Sequence, residues 1–304
     1  MTKNLGIAFL GIGLMGKPMA ARLLSAGYML HVWNRTTQKA RQLAPSGAVI
    51  AETPQQAVQT AGWQADVVIT MLDAGPVVAT ILQELLPVLT PGMIVIDMSS
   101  TRQSEAQQFS ALLAQHGVVF IDAPVSGGVI GAEAGSLAIM AGGPADSYER
   151  ITPLLMEMGR PTLVGQAGAG QLAKLCNQLI VGGTINIVAE ALLLAEAGGA
   201  DPVAVRQALR GGFAESRILE VHGQRMLDRS FLPGGQVKTQ AKDMDNIQDA
   251  ASKAGLELPL TNLVSAIYRD LLQTHPTADH SAALLELEKH HPGIRLGKGD
   301  DRLP

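Results

Sequence analysis

Residues 6–25 read GIAFLGIGLMGKPMAARLLS. A short apolar run meets three glycines spaced G-x-G-x-x-G, at Gly11, Gly13 and Gly16, and then a stretch with helical spacing. Few architectures accommodate that order. The first glycine allows a tight turn, the second lets an anion come close to the backbone, and the third lets helix and strand pack tightly. The free N–H groups and positive potential of the helix start complete a place for a pyrophosphate. Alone, the spacing marks only a glycine-rich turn. Between a strand and a helix it predicts dinucleotide binding, with Leu14 and Met15 in the same loop as further contacts.

The following residues extend this pattern. Apolar runs at 6–11, 29–34, 66–72, 93–99, 118–125 and 137–143 alternate with helix-length segments. Several are β-branched and apolar on both faces, as strands buried in a parallel sheet are. Thr53-Pro54 predicts a helix start, with a capping hydroxyl and then proline at the first helical position. The expectation is an α/β fold: an N-terminal doubly wound Rossmann-type domain over 1–165. Beyond Gly165 the strand pattern stops. Gly168 to Ala197 reads as one long helix closed by Gly198-Gly199. Asp201-Pro202 opens another, and further helices are expected near 214–228, 240–254, 260–274 and 280–290. The second domain, 166–291, is therefore all-α, with 166–197 as an interdomain helix. The Gly-rich end, 292–304, is expected to be loose.

Composition narrows the class. Hydrophobic residues make up 47% but aromatics only 3%, so the core must be built from aliphatic side chains. The formal charge is −4, which argues against a broad nucleic-acid or anionic membrane surface. A single cysteine, Cys176, excludes an intramolecular disulfide and fits a reducing compartment. It is expected to be a small core residue rather than a nucleophile. The apolar start is too brief for a signal peptide. Thr184, Asn186 and Glu190 interrupt the long helix, against a membrane span. The expected location is cytoplasmic. The seven histidines show no metal-ligand spacing, and Asp279-His280, with Ser281, reads as a helix cap.

Cofactor selectivity is expected at the end of the second strand. An NAD-selective site places a carboxylate there for the ribose hydroxyl. Here the residues are Asn34, Arg35, Thr36 and, one turn on, Lys39. Arg35 can pair with a 2′-phosphate in two-pronged fashion and Thr36 can donate to it, which predicts NADP over NAD. The alternative is that Arg35 and Lys39 are solvated residues of a helix start.

Lys174 is the one charged residue between Arg160 and Glu190. On a helix it shares a face with Gly170, Asn177 and Gln178. Burying an unpaired ammonium costs several kcal/mol, so such a lysine lies at the surface or is held for chemistry. The run FIDAPVSGG places a Ser-Gly-Gly turn after a strand, and successive N–H groups there can cradle an anion. A plain glycine turn has the same sequence.

Together these pieces resemble the β-hydroxyacid dehydrogenase family. FLGIGLMGKPMA, DMSS, DAPVSGG, GAGQLAKLCNQ and KDM stand in the family's order and spacing, over about residues 5–290. The resemblance implies a Rossmann-type domain followed by a helical one. It also implies nicotinamide-dependent, reversible reduction of a small aldehydo-acid, such as tartronate semialdehyde, to a β-hydroxyacid, and assembly into homodimers or homotetramers. It assigns the catalytic role to Lys174 and the substrate-carboxylate loop to Ser126, Gly127 and Gly128. Asn177 and Gln178 become the polar partners of the lysine. Ser100, Lys242 and Asp243 become cofactor contacts, and Met71, Leu72 and Asp73 the loop that covers the cofactor.

The chain departs from the family's pattern at three places. Asn34-Arg35 replaces the usual acidic residue. Asp73 replaces a proline. Gly235 replaces an aromatic residue near the substrate, which is expected to enlarge the pocket. Other readings are 3-hydroxyisobutyrate dehydrogenase activity, imine reduction, which the presence of Lys174 disfavours, and a non-catalytic NADP-binding regulatory protein.

Overall fold

The computed structural model describes residues 5–304. The strands are β1 (Gly6–Leu10), β2 (Met29–Trp33), β3 (Val49–Ile50), β4 (Gln59–Thr60), β5 (Trp63–Gln64), β6 (Val67–Thr70), β7 (Ile94–Asp97), β8 (Val119–Asp122), β9 (Val125–Ser126), β10 (Leu137–Gly142) and β11 (Gly159–Gly165). The helices of the same region are α1 (Gly16–Ser25), α2 (Thr37–Arg41), α3 (Pro54–Val58), α4 (Gly75–Leu85), α5 (Gln103–Ala114), α6 (Gly128–Ala134) and α7 (Ala145–Met156). They are followed by α8 (Ala169–Ala197), α9 (Pro202–Leu209), α10 (Arg217–Leu227), α11 (Val237–Lys253), α12 (Pro259–Thr274) and α13 (Ala283–Lys289). The chain forms two compact units, 5–174 and 175–304 among the described residues, with the division inside α8 rather than near 165.

In the first unit the main sheet runs β11-β10-β8-β7-β6-β1-β2-β3, with β9 beside β10 and the hairpin β4–β5 separate. From β3 to β8 every pairing is parallel. β10 runs antiparallel to β8 and β9 and parallel to β11. Alternation decides the layers. Ile7, Phe9, Val67, Ile69, Ile94 and Ile96 enter one core, while Ala8, Leu10, Val68 and Val95 enter the other. Helices cover both faces, so the continuous apolar runs are buried on each side. In α1 the buried positions Gly16, Met19, Ala20 and Leu23 follow the i, i+3, i+4, i+7 stripe of a half-buried helix. The helix at Thr53 starts as expected: its side chain accepts from the Gln56 N–H, and Pro54 follows.

The second unit is helical throughout. Its core gathers Ile185, Ala189 and Leu192 of α8 with Phe231, Met244, Tyr268, Leu271 and Leu284. By length and composition alone α8 could cross a membrane, with mean hydropathy 1.7 over its most apolar 18 residues. One face of it, however, lines this core. Cys176 is exposed, contrary to the expected core position. The inward face of α8 runs through Leu175, and a neighbour one residue on is turned about 100° away.

The end of the chain, expected to be loose, is stapled to this unit. The buried guanidinium of Arg229 donates to Glu288, to Asp301 and to the Leu296 carbonyl. Leu296 is fully buried, and the Arg302 backbone pairs with Arg229 and Phe231. Composition suggested looseness because these partners lie 59 to 72 residues from Arg229, where no local pattern records them.

Candidate active site

The strand order reverses direction of growth between β1 and β6, and ligands of open α/β sheets bind outside the carboxyl ends of the strands at such a point. The glycine loop lies there, with Gly11 at φ 107°. A Cβ on Gly11 would collide with the Met71 carbonyl oxygen, and one on Gly16 would collide with that of Gly11. Both positions therefore require glycine. Gly13 differs: a Cβ there would meet no protein atom within 4 Å. The space needed for close approach of a pyrophosphate is therefore present, and Leu14 is exposed beside it. These residues fit a dinucleotide.

Asn34 holds the loop from the next strand. Its Oδ1 accepts the Ile12 N–H at 2.9 Å, and its Nδ2 donates to the Thr36 carbonyl at 3.0 Å. Its amide is thus engaged by protein. Arg35, Thr36 and Lys39 are exposed next to it. Met71 and Leu72 are partly buried and Asp73 is exposed. The Leu72 N–H donates to Ser99 Oγ at 2.9 Å, so it is Ser99, buried, that ties this loop down, while Ser100 is partly exposed.

Lys174 is partly buried on α8, one turn beyond a tightly held helix start. Gly168 and Gln171 donate their N–H groups to the Asp122 carboxylate, each at 2.7 Å. A Cβ on Gly170 would collide with the Met140 carbonyl oxygen and lie 2.6 Å from that of Asp122. The helix therefore presses its Gly170 face against β8 and β10, and Lys174 is on that face at i+4. Four residues after Asp122, Ser126 begins the Ser-Gly-Gly turn. Gly127 and Gly128 are exposed and carry φ of 138° and 62°, the region that favours glycine.

Two buried carboxylates flank this helix start. Burial pushes Asp97 up to about 6, against hydrogen bonds from Ser99 and Thr70. Burial likewise pushes Asp122 up to about 6, against its backbone N–H donors. They are register partners on adjacent strands, and neither carboxylate makes an ion pair among the described residues.

The remaining candidates lie in the second unit. Asn177 Nδ2 donates to Gln178 Oε1 at 2.9 Å, and Gln178 Nε2 donates to the buried Asp243 carboxylate at 2.7 Å. Lys242 Nζ is 3.7 Å from the same carboxylate. Asp243 thus orients the helix amides from inside the unit. Here too His222 converges with Asp279 and His280, more than fifty residues further along the chain. Asp279 caps as expected, accepting from the N–H and hydroxyl of Ser281. It also accepts from the Gly234 and Gly235 N–H groups, and it faces His222 at 3.3 Å and Arg225 at 3.7 Å. Burial pushes its carboxyl up. The His222 hydrogen bond, the charge of His280 and the Ser281 and Gly235 donors outweigh burial and hold it well below the usual range. With its oxygens so occupied, Asp279 serves as a structural hub. A Cβ on Gly235 would stand 3.0 Å from the His280 ring. The room expected from the missing side chain is filled by an imidazole.

Sequence reasoning did not find Asp97, Ser99, Asp122 or Gln171. Asp97 and Asp122 end apolar strands where a charge is unusual, and that was the available signal.

The chain is similar to known proteins over most of its length. Residues 6–185 match the NAD-binding domain of 6-phosphogluconate dehydrogenase, and residues 168–287 match the NAD-binding domain of NADP-dependent 3-hydroxyisobutyrate dehydrogenase. The chain is 40% identical over 287 residues to 2-hydroxy-3-oxopropionate reductase of Escherichia coli, covering 93% of this chain and 97% of that one. It is 35% identical over 278 residues to an NAD-dependent L-serine dehydrogenase of Pseudomonas aeruginosa, covering 88% and 92%. A Mycobacterium tuberculosis 3-hydroxyisobutyrate dehydrogenase structure with L-serine superposes with a TM-score of 0.86 at 32% identity, covering 93% and 99%.

Proposed function

The chain belongs to the β-hydroxyacid dehydrogenase family of oxidoreductases, and on that premise we propose that it reduces a short aldehydo-acid to the β-hydroxyacid, reversibly, with NADPH. The observation that carries this reading is Lys174, the solitary ammonium of α8, one turn beyond a helix start fixed to the strand that leads into the Ser126–Gly128 turn.

The nicotinamide, when bound, supplies hydride to the aldehyde carbon or takes it from the alcohol carbon. Gly11, Gly13, Leu14, Met15 and Gly16 would hold the dinucleotide's pyrophosphate, with Met71 to Asp73 and Ser100 as further contacts. Negative charge that builds on the aldehyde oxygen is met by the Lys174 ammonium, which gives that oxygen its proton. In oxidation the neutral amine takes the proton back. The exposed amides of Gly127 and Gly128, with the Ser126 hydroxyl, receive the substrate carboxylate and fix the reacting carbon. Asn177 and Gln178, braced by Asp243, are the polar partners of the lysine.

The compounds in the relatives' names share a carboxylate, a substituted C2 and a terminal oxygenated C3. They differ at C2, which bears a hydroxyl, a methyl or an amine. Tartronate semialdehyde is the first choice, on the 40% identity. 3-Hydroxyisobutyrate is the alternative. A panel of glycerate, 3-hydroxyisobutyrate and L-serine, assayed with both cofactors beside Lys174→Ala, tests the reading. The variant should keep dinucleotide binding and lose about 10²-fold or more in rate. Undiminished turnover in a folded variant would refute the role of Lys174.

The NADP preference is supported by exposed Arg35, Thr36 and Lys39 and by the missing carboxylate at Asn34. Arg35→Ala should raise the Michaelis constant for NADPH about tenfold, the size of one lost charge-assisted contact, and leave that for NADH unchanged. Equal effects on both would remove the claim. Homodimer or homotetramer formation is supported by exposed Ile180, Ile187 and Leu260, which border an apolar groove of about 190 Å³ in the second unit.

A further inference from the structure

A proton donor, a carboxylate anchor and a dinucleotide loop can act together only if their carriers keep a common register. In the first unit one buried polar network joins those carriers. Asp122 ends β8, four residues before Ser126. Its Oδ1 takes the Gly168 N–H and its Oδ2 the Gln171 N–H, at 2.7 Å each. Those donors lie six and three residues before Lys174. Gln171 is fully buried. Its Nε2 donates to the Ser99 carbonyl at 2.8 Å, and its Oε1 accepts the Thr101 N–H at 3.0 Å. Ser99 Oγ in turn accepts the Leu72 N–H at 2.9 Å, in the 71–73 loop.

The first N–H groups of any helix need outside acceptors, and a neighbouring Ser, Thr or Asp side chain usually serves. A local cap ends a helix but does not say where the helix sits. Here the acceptor comes from 46 and 49 residues away, on the strand that leads to the Ser-Gly-Gly turn. A two-oxygen acceptor fixes both the height and the rotation of α8 on that strand. Gln171, one turn before Lys174, fixes it a second time against residues 99–101.

We propose that Asp122 and Gln171 are positioning residues that set the Lys174 ammonium relative to the Ser126–Gly128 turn and the 71–73 loop. The proposal rests on the catalytic reading of Lys174. Neither residue needs to touch substrate. Each acts through the lysine, whose displacement by about 1 Å costs on the order of 10²-fold in rate.

The test uses the full chain with the β-hydroxyacid it turns over best. Asp122→Asn turns one accepting oxygen into an N–H donor facing another donor. Gln171→Met keeps length and loses both hydrogen bonds. Each should lower kcat roughly 10- to 100-fold and change KM less than about threefold. Dinucleotide affinity should stay within about twofold of the parent, by the same reasoning that neither residue contacts the pyrophosphate loop. In a Lys174→Ala background neither should lower kcat further, because the route through the lysine is already gone. Independently of activity, amide exchange at Gly168 and Gln171 should quicken about tenfold or more in Asp122→Asn. The proposal fails if both variants keep parental kcat while Lys174→Ala does not, or if their losses multiply fully with Lys174→Ala. Failure of both variants to fold would also overturn it, since their role would then be stability alone. If Lys174→Ala itself keeps full activity, the catalytic reading fails instead.

Discussion

Asp122 in the first unit and Asp279 in the second are both fully buried, and both accept several hydrogen bonds, yet their charges are held in opposite ways. Asp122 meets backbone N–H donors that carry no net charge. Burial wins and its carboxyl rises to about 6. Asp279 meets neutral donors as well, but also His222, His280 and Arg225. There the His222 hydrogen bond, the charge of His280 and the Ser281 and Gly235 donors together outweigh burial. Backbone donors alone leave burial dominant at Asp122, whereas at Asp279 side-chain hydrogen bonds and a nearby charge together reverse it. The two sites do different work accordingly. The Asp279 cluster ties α10, the Gly234-Gly235 backbone and the turn at Ser281 into one body. The Asp122 network places a helix start at a site.

The sharpest way to break this contrast is Asp279→Asn. It leaves the 225 and 222 side chains facing a neutral amide and should cost about 3 kcal/mol or more, as removing one partner of a buried ion pair does. Chemical denaturation would measure it, and a loss as small as that of Asp122→Asn would erase the distinction. Asp122→Asn should cost about 1 kcal/mol, the ordinary size of a lost helix cap, while its effect on rate is far larger. Asp97→Asn should be the mildest of the three, within about 1 kcal/mol at pH 8, because an ionised carboxylate there has Oδ2 without a partner.

The pH dependence sharpens the same comparison. Asp97 and Asp122 bind protons more tightly folded than unfolded, with folded values of about 6 against an ordinary value of about 3.9. Their contribution is fully present below pH about 4 and is lost as pH rises through about 6. Asp279 is shifted down, so its contribution is present above about pH 4 and is lost as pH falls below it. Urea titrations from pH 3 to 8 on the parent and on Asp97→Asn should show the decline between pH 4 and 6 shrink in the variant. An unchanged decline would mean that burial does not set these carboxyls.

Some features needed only short-range information. The three glycines, the buried parallel strands and the caps at Thr53, Asp201 and Asp279 were readable because each depends on neighbours within a turn or two of chain. Lys174 stood out for a related reason, since the only charged residue between Arg160 and Glu190 is conspicuous in the sequence itself. Strand β11 escaped notice because Gly159 to Gly165 contains Arg160 and Pro161 and is only partly buried, so it carries no alternating or continuous apolar pattern. The stapled tail, the exposed Cys176 and the His280 ring against Gly235 escaped for another reason: each depends on what another element brings alongside.

The local code of this chain thus specifies which segments are strand or helix, which loop suits a dinucleotide, and which lysine interrupts an apolar stretch. It does not say that Asp122 receives the amides of a helix some 46 residues later, or that His222, Arg225 and His280 gather around Asp279 while Asp122 meets backbone N–H donors. Patterning repeats at two or 3.6 residues and acts through adjacent backbone, so it is written in order along the chain. The ionisation of a buried acid and the placing of a helix on a strand depend on distances through space, and those exist only once the chain has packed.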